Sequence, residues 1–233
     1  MSGRHDTAAT LPWMREGTAH LLAVVDKLGD DDLTVSSALP GWTRAHVIGH
    51  VARNAEALTR LANWARTGAE TPMYADREQR SAEIERSAAL PPATLRDDLL
   101  RTSAMLDDGL AELTTEQWQA EVRSALGRAI PAAEVPWMRI REVWLHAVDL
   151  DADATMDDLP SGVVDLLLDD VTVALSAKDG CPALDLVATD RERSWHLGGA
   201  DATETVTATA ADLAGRLTGR IPAPNRLVLP RWL

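Results

Sequence analysis

Phenylalanine is absent from this chain of 233 residues, and tyrosine occurs once, so eight tryptophans supply the large aromatic side chains. The length still allows a sizeable hydrophobic core. The single cysteine, Cys181, excludes an internal disulfide framework and is expected to be a buried or incidental thiol. No apolar run approaches the ~20 residues of a transmembrane helix, and the N-terminus lacks a hydrophobic signal core. These absences predict a cytoplasmic protein.

Positive charge is also scarce. The chain has 23 Lys and Arg residues against 36 Asp and Glu, which gives a formal net charge of -13. A surface of this kind repels phosphate backbones and anionic lipid headgroups. We therefore expect neither nucleic acid nor a membrane surface as a partner.

Residues 1–151 read as four long amphipathic helices separated by polar loops. The helices are expected in the segments "LPWMREGTAHLLAVVDKLG", "TRAHVIGHVARNAEALTRLANWARTG", "PPATLRDDLLRTSAMLDDGLAELT" and "VPWMRIREVWLHAVDLDA". Thr43 is the expected N-cap of the second helix and Gly68 its stop. The long connection to the third helix is expected to carry a short helix or to cover a site. Four such helices predict a bundle.

Residues 152–233 have a different sequence pattern, in which helices and short strands are mixed. A helix in "SGVVDLLLDDVTVALSA" precedes three short strand patterns in "ALDLVATD", "SWHLGG" and "ETVTATA", and "AADLAGRLTGR" reads as a final helix. The predicted fold class is therefore α+β, a four-helix bundle followed by a small α+β domain. The junction has Asp149, Asp151 and Asp153 at calcium-loop spacing, but Ala154 and Pro160 replace the glycine and glutamate that such a loop requires.

The fourth helix carries two polar groups in apolar surroundings. Glu142 and His146 are four residues apart, so they differ by ~40° in direction and ~6 Å along the axis. Apart from its arginines, little of this helix is expected to be solvated, so both side chains should point into protein. Because a buried carboxylate is costly unless it is paired or bound to a cation, the pair is a good half of a metal site.

The second helix also presents histidine towards the bundle core. His50 lies on the edge of its apolar stripe, with His46 beside it. One histidine from this helix with Glu142 and His146 would make three ligands and leave a coordination position open, as in catalytic zinc sites. The alternative is a helix-surface Glu–His pair, with the second-helix histidines satisfied in the core or at the surface. His20 is expected to be structural.

Four segments resemble the mycothiol-dependent maleylpyruvate isomerases, which belong to the DinB-like metalloenzyme superfamily: "LPGWTRAHVIGHVARNA", "ETPMY", "WMRIREVWLHAVDL" and the terminal "PRWL". The resemblance runs along essentially the whole chain and implies the bundle and α+β domain described above. It implies a divalent metal, normally zinc, held by His50, Glu142 and His146, whereas His46 matches a non-ligand position. It also implies an active-site arginine in the second domain, Arg220 or its competitor Arg216.

The resemblance further implies chemistry that needs a borrowed thiol. A metal-activated mycothiol thiolate would add to the C=C bond of maleylpyruvate, and rotation and elimination would give fumarylpyruvate. Arg220 would bind a substrate carboxylate or the enolate-like charge. We expect a monomer that acts on mycothiol and a maleylpyruvate-like acid. A mycothiol S-transferase, a metal-dependent hydrolase and a non-catalytic binding module remain as alternatives.

Overall fold

The computed structural model describes residues 3–199, 202, 204–222 and 228–232. The chain forms two compact units, Met1–Ala154 and Thr155–Leu233, and each is described here by itself. Within the described ranges, no helix combines the length and the apolar character that a membrane crossing would require.

Five helices build the first unit: α1 Thr7–Asp26, α2 Arg44–Thr67, α3 Arg77–Ala88, α4 Pro92–Ala111 and α5 Val135–Asp149. Helix α2 packs against α4 and α5, and α1 packs against α5 and α4, which makes the predicted bundle of four long helices. The short helix expected in the connection between α2 and α4 is α3, and it packs on α2. Because α2 contacts three of the other helices, it is the element around which the unit is assembled.

Between α4 and α5 the chain forms a small antiparallel hairpin where the sequence analysis expected a polar loop. Its strands are β1 Glu121–Arg123 and β2 Ala129–Pro131, and Val122 lies opposite Ile130. Both of these side chains are buried. Three residues are too few for an alternating pattern to stand out in the sequence, so the expectation of a loop was wrong here.

The predicted ends of α2 are confirmed. Thr43 is the N-cap, and its hydroxyl lies 2.7 Å from Nδ1 of His46. The backbone N–H of Thr43 donates to the same nitrogen at 3.2 Å. At the other end, Gly68 adopts a φ of 74° and its N–H donates to the carbonyl of Trp64. His46 thus serves the start of the helix, in agreement with its expected non-ligand position.

The second unit contains α6 Ser161–Ser176, β3 Leu184–Ala188, β4 Ser194–Leu197, β5 Glu204–Ala208 and α7 Ala210–Leu217. Strand β3 lies in the middle of a three-stranded sheet, antiparallel to β4 and parallel to β5. Alternate residues of β3 are buried, and α6 packs on both α7 and β4. The α+β fold class is therefore confirmed. In the terminal "PRWL", Trp232 is buried, whereas Leu233 lies outside the described residues.

Candidate metal centre

The three predicted ligands lie close together in the first unit. The Nε2 atom of His50 lies 2.9 Å from Oε2 of Glu142, and that oxygen lies 3.2 Å from Nε2 of His146. The donor atoms of all three residues lie within 4.8 Å of one another. His46 is not a member of this group, and its other ring nitrogen lies 3.3 Å from Glu85. Of the two histidines of α2, His50 is the one whose ring lies in this group.

The packing of α2 on α5 brings these side chains together. On α2, Val47 and Val51 flank His50 and are fully buried. On α5, Ile140 and Val143 are also fully buried, next to Glu142. The apolar residues fix the two helix faces against each other. The three polar side chains extend from these two helix faces towards a common point.

Each histidine uses its second ring nitrogen in a different hydrogen bond. Nδ1 of His146 lies 2.8 Å from Oδ2 of Asp149, whose side chain is buried. Nδ1 of His50 lies 3.3 Å from a guanidinium nitrogen of Arg80, which comes from α3. A carboxylate behind a ligating imidazole fixes the ring orientation and raises its basicity. Asp149 therefore directs Nε2 of His146 towards Glu142.

Burial and mutual contacts shift the pKa of each of the three clustered residues. Burial lowers the pKa of His50, although the carboxylate of Glu142 opposes this effect. Burial disfavours the ionised form of Glu142, but His50 and His146 together hold the pKa of its carboxyl well below its usual range. Burial also acts to lower the pKa of His146, but hydrogen bonds to Asp149 and Glu142 raise it overall. The pKa shifts thus favour the ionised form of Glu142 and the uncharged form of His50, the charge states in which these residues bind metals.

Aromatic rings surround the histidines. The ring of Trp42 lies 5.4 Å from that of His50, and the rings of His50 and His146 meet edge to face at 4.8 Å. Tyr74, from the "ETPMY" segment, lies between two arginines, with Arg60 at 6.0 Å and Arg80 at 5.8 Å from its ring centre. Burial and the nearby charge of Glu142 raise the pKa of the Tyr74 phenol.

The donor set fits a catalytic zinc ion. Two imidazoles and one carboxylate are a known catalytic zinc ligand set, and three protein ligands leave the fourth position for a small molecule. The side chain of His50 is 6% exposed and that of His146 14%, whereas that of Glu142 is 27% exposed. A ligand could therefore reach the site on the side of Glu142.

The expectation that the arginines of α5 are solvated was wrong for Arg139. Its side chain is among the largest that are fully buried in the described part of the chain. Its guanidinium donates to the carbonyl of Val51 at 2.7 Å, to the amide oxygen of Asn54 at 2.9 Å and to the hydroxyl of Ser103 at 3.1 Å. Helical periodicity does not distinguish such an internal arginine from a solvated one.

In the second unit, the two candidate arginines lie close together along the chain. Arg216 belongs to the last turn of α7, and its buried Nε has no hydrogen-bond partner among the described residues. Arg220 follows α7 by three residues, is half-buried and donates to the carbonyl of Thr218 at 2.9 Å. The choice of Arg220 over Arg216 remains a prediction.

Three further polar residues that the sequence singled out have the following surroundings. Cys181 is half-buried, and burial raises the pKa of its thiol, which is the opposite of what activates a nucleophile. His20 stacks on Trp144 at 5.0 Å. Asp149, which calcium-loop spacing had brought to attention, instead bonds His146.

Three neighbours of the ligands were not predicted from the sequence: Asp149, Arg80 and Tyr74. The spacing of "HAVD", three residues from His146 to Asp149, could have indicated the first. No local pattern indicates Arg80, because α3 is polar on most of its surface.

Comparisons with known proteins agree on one family. A family model described as the mycothiol maleylpyruvate isomerase N-terminal domain matches residues 14–151. A crystal structure of the mycothiol-dependent maleylpyruvate isomerase matches with a TM-score of 0.92 and 34% identity, over 100% of both chains. The crystal structure of a histidine-to-alanine mutant of that enzyme matches with a TM-score of 0.91 and 35% identity, also over 100% of both chains. No curated protein gives a sequence match.

Proposed function

The chain belongs to the mycothiol maleylpyruvate isomerase family, and we propose that it converts maleylpyruvate to fumarylpyruvate with mycothiol as the thiol cofactor. The observation that carries this proposal is the match to the mycothiol-dependent enzyme over the full length of both chains at 34% identity. A match of this extent includes the second unit, which the family model for the N-terminal domain does not reach.

The first unit would supply the metal site. His50, Glu142 and His146 would hold a divalent metal, which fits zinc, and the bond from His146 to Asp149 would keep Nε2 of that ring aimed at it. When bound, the metal and mycothiol would supply a thiolate that can add to the C=C bond of the substrate and leave after rotation. The half-exposed side of Glu142 would admit the thiol and the substrate.

Arginine side chains would receive the anionic substrate. Arg220 would bind a carboxylate or the enolate-like charge that develops on addition, because a guanidinium pairs with planar anions through two hydrogen bonds. In the first unit, Arg80 lies next to the proposed metal site, and its guanidinium is 3.3 Å from His50. These local positive charges explain how a chain with a net charge of -13 could accept an acid.

The proposal is tested by an isomerisation assay with purified protein, in which zinc content is measured on the same sample. We expect maleylpyruvate to be converted only when mycothiol is added, with no net consumption of thiol and about one zinc per chain. Omission of mycothiol and its replacement by a simple thiol serve as controls.

Other outcomes separate the alternatives. Thiol consumption with formation of a conjugate would indicate an S-transferase, and thiol-independent hydrolysis of a substrate would indicate a hydrolase. A protein without bound metal that gains nothing from added zinc would refute the metal site itself.

A further inference from the structure

Arg139 is an internal cation that forms no ion pair among the described residues, although the charge of Glu142, three residues further along α5, acts on it and favours its charged form. Its side chain is buried in the bundle at 1% exposure, and within the described part of the chain no carboxylate lies at ion-pair distance from it. Burial lowers the pKa of the guanidinium to about 10, so it is charged at neutral pH. Burying such a charge costs several kcal/mol unless its donors are well satisfied. An apolar side chain of similar volume would avoid that cost, so the presence of an arginine at this position calls for a functional explanation.

The bonds of Arg139 connect three helices at the level of the metal ligands. From α5 it donates to the backbone carbonyl of Val51 and the side chain of Asn54, both on α2. It also donates to Ser103 on α4. Val51 directly follows the ligand His50, and a carbonyl in the helix interior has a second lone pair free for such a bond.

On α5, Arg139 stands three residues before Glu142, about 4.5 Å along the helix axis. Helices α2 and α5 are therefore linked at two places within about one turn, through Arg139 and through the pair of Glu142 and His50. A metal site needs its donors held within about 0.5 Å of the productive geometry. The guanidinium fork, with several donors in one rigid plane, is suited to fix the register of one helix against another.

We infer that Arg139 is a positioning residue for the metal site, which sets the register of α5 on α2 so that Glu142 and His146 meet His50. The inference rests on the proposed metal function of those three residues. It requires that Arg139 act through its bonds to α2, and that its bond to α4 contribute little to metal binding.

The test compares zinc affinity with stability in variants of the full chain. Arg139→Lys keeps the positive charge and loses the planar fork. We expect it to bind zinc about 10–100-fold more weakly in a chelator competition, the range seen for outer partners of metal ligands. We also expect a changed visible absorption spectrum after cobalt substitution.

Arg53→Lys is the matched control, because Arg53 is likewise an arginine of the bundle. It lies on α2, where it bonds Asp98 of α4 and Glu56, and among the described residues it has no bond to α5. It should change stability without changing zinc affinity or the cobalt spectrum.

A second pair of variants removes the partners one at a time and serves if Arg139→Lys does not fold. Asn54→Ala deletes a bond to α2, and Ser103→Ala deletes the bond to α4. Asn54→Ala should weaken zinc binding, and Ser103→Ala should leave it within about twofold of the wild type.

The inference is overturned if Arg139→Lys, or Asn54→Ala in its place, lowers only the melting temperature while zinc affinity and the cobalt spectrum match the wild type. It is also overturned if Asn54→Ala and Ser103→Ala weaken zinc binding equally. A wild-type chain that binds no zinc would instead refute the proposed function, so the two failures are distinguishable.

Discussion

At the scale of single residues, the first unit contains buried polar groups that are hydrogen-bonded to other residues. His50, Asp149 and Arg139 are each at most 5% exposed, and each has a named hydrogen-bond partner. Two of the three serve the ligand cluster directly, and the third bonds the helix that carries His50. These three buried groups accompany the candidate metal centre, whereas Glu134, which is also buried, pairs with Arg4, His5 and Arg128 instead.

Replacing each histidine of α2 in turn distinguishes the proposed ligand, His50, from the neighbouring His46. His50→Ala should remove most of the bound zinc and nearly all activity, because it deletes a donor atom from the cluster. His46→Ala is the matched control: it loses a capping contact with Thr43, which costs about 0.5–2 kcal/mol of stability, and should keep its zinc. Metal analysis and thermal unfolding measure both effects. Full zinc content in His50→Ala would remove this residue from the ligand set.

The second unit offers a titration that can be measured at an exposed pair. His196 on β4 lies opposite Asp185 on β3, with 3.0 Å between Nδ1 and the carboxylate. Hydrogen bonds to Asp185 and to the carbonyl of Gly199 raise the pKa of the imidazole. The stabilisation from this charge is thus present at pH values below the unfolded pKa of histidine and is lost as pH rises through the raised folded value.

We expect an NMR titration to show His196 with a pKa above that of an ordinary histidine. In Asp185→Asn the pKa should fall towards the ordinary value, because the charged partner is gone. An unchanged pKa in that variant would assign the shift to the carbonyl of Gly199 alone.

At the scale of elements, α1 packs closely against α5, the helix that carries Glu142 and His146. Helix α1 packs on α5 at Gly17, where an added Cβ would lie 2.5 Å from Nε1 of Trp144 and 2.7 Å from a methyl group of Val143. Gly17 is therefore needed for the approach of the two helices. Trp144 and Val143 directly follow Glu142 in the chain, so this contact supports the helix that carries two of the ligands.

Two glycine-to-alanine substitutions test this contact. Gly17→Ala should lower the free energy of unfolding by about 1–3 kcal/mol, because Trp144 must move. Gly109→Ala is the control in α4, where the nearest atoms to a new Cβ are 3.9 Å away. It should stabilise the protein by about 0.5–1 kcal/mol through helix propensity. Urea denaturation measures both, and equal effects would show that α1 can shift to make room.

At the scale of the whole molecule, two units are expected to serve one activity. The ligand cluster belongs entirely to the first unit, and the candidate arginines belong to the second. The predicted monomeric state and the predicted absence of nucleic-acid partners also belong to this scale and stay predictions.

The contribution of the second unit can be measured separately from metal binding. Arg220→Ala should keep its zinc and lose turnover by at least about 100-fold, as when a charge-stabilising donor is removed. Arg216→Ala is the comparison, and it should retain most of its activity. The reverse pattern would move the assignment to Arg216. Loss of zinc in either variant would contradict a role restricted to the substrate.

Several features of the fold could be predicted from the sequence because they are local. Thr43 and Gly68 mark the ends of α2 through backbone preferences of single residues. Glu142 and His146 share a face because they are one helical turn apart. The hairpin at Val122 was not predicted, because strands of three residues are too short to show an alternating pattern in the sequence.

The order of residues was enough to indicate which residue types could bind a metal, on which helices they lie and which family the motifs resemble. The contact between His50 and Glu142, which are 92 residues apart, and the internal position of Arg139 could be seen only once the helices were packed. The physical reason is that periodicity specifies a helix face, whereas the partner of that face depends on how distant helices pack.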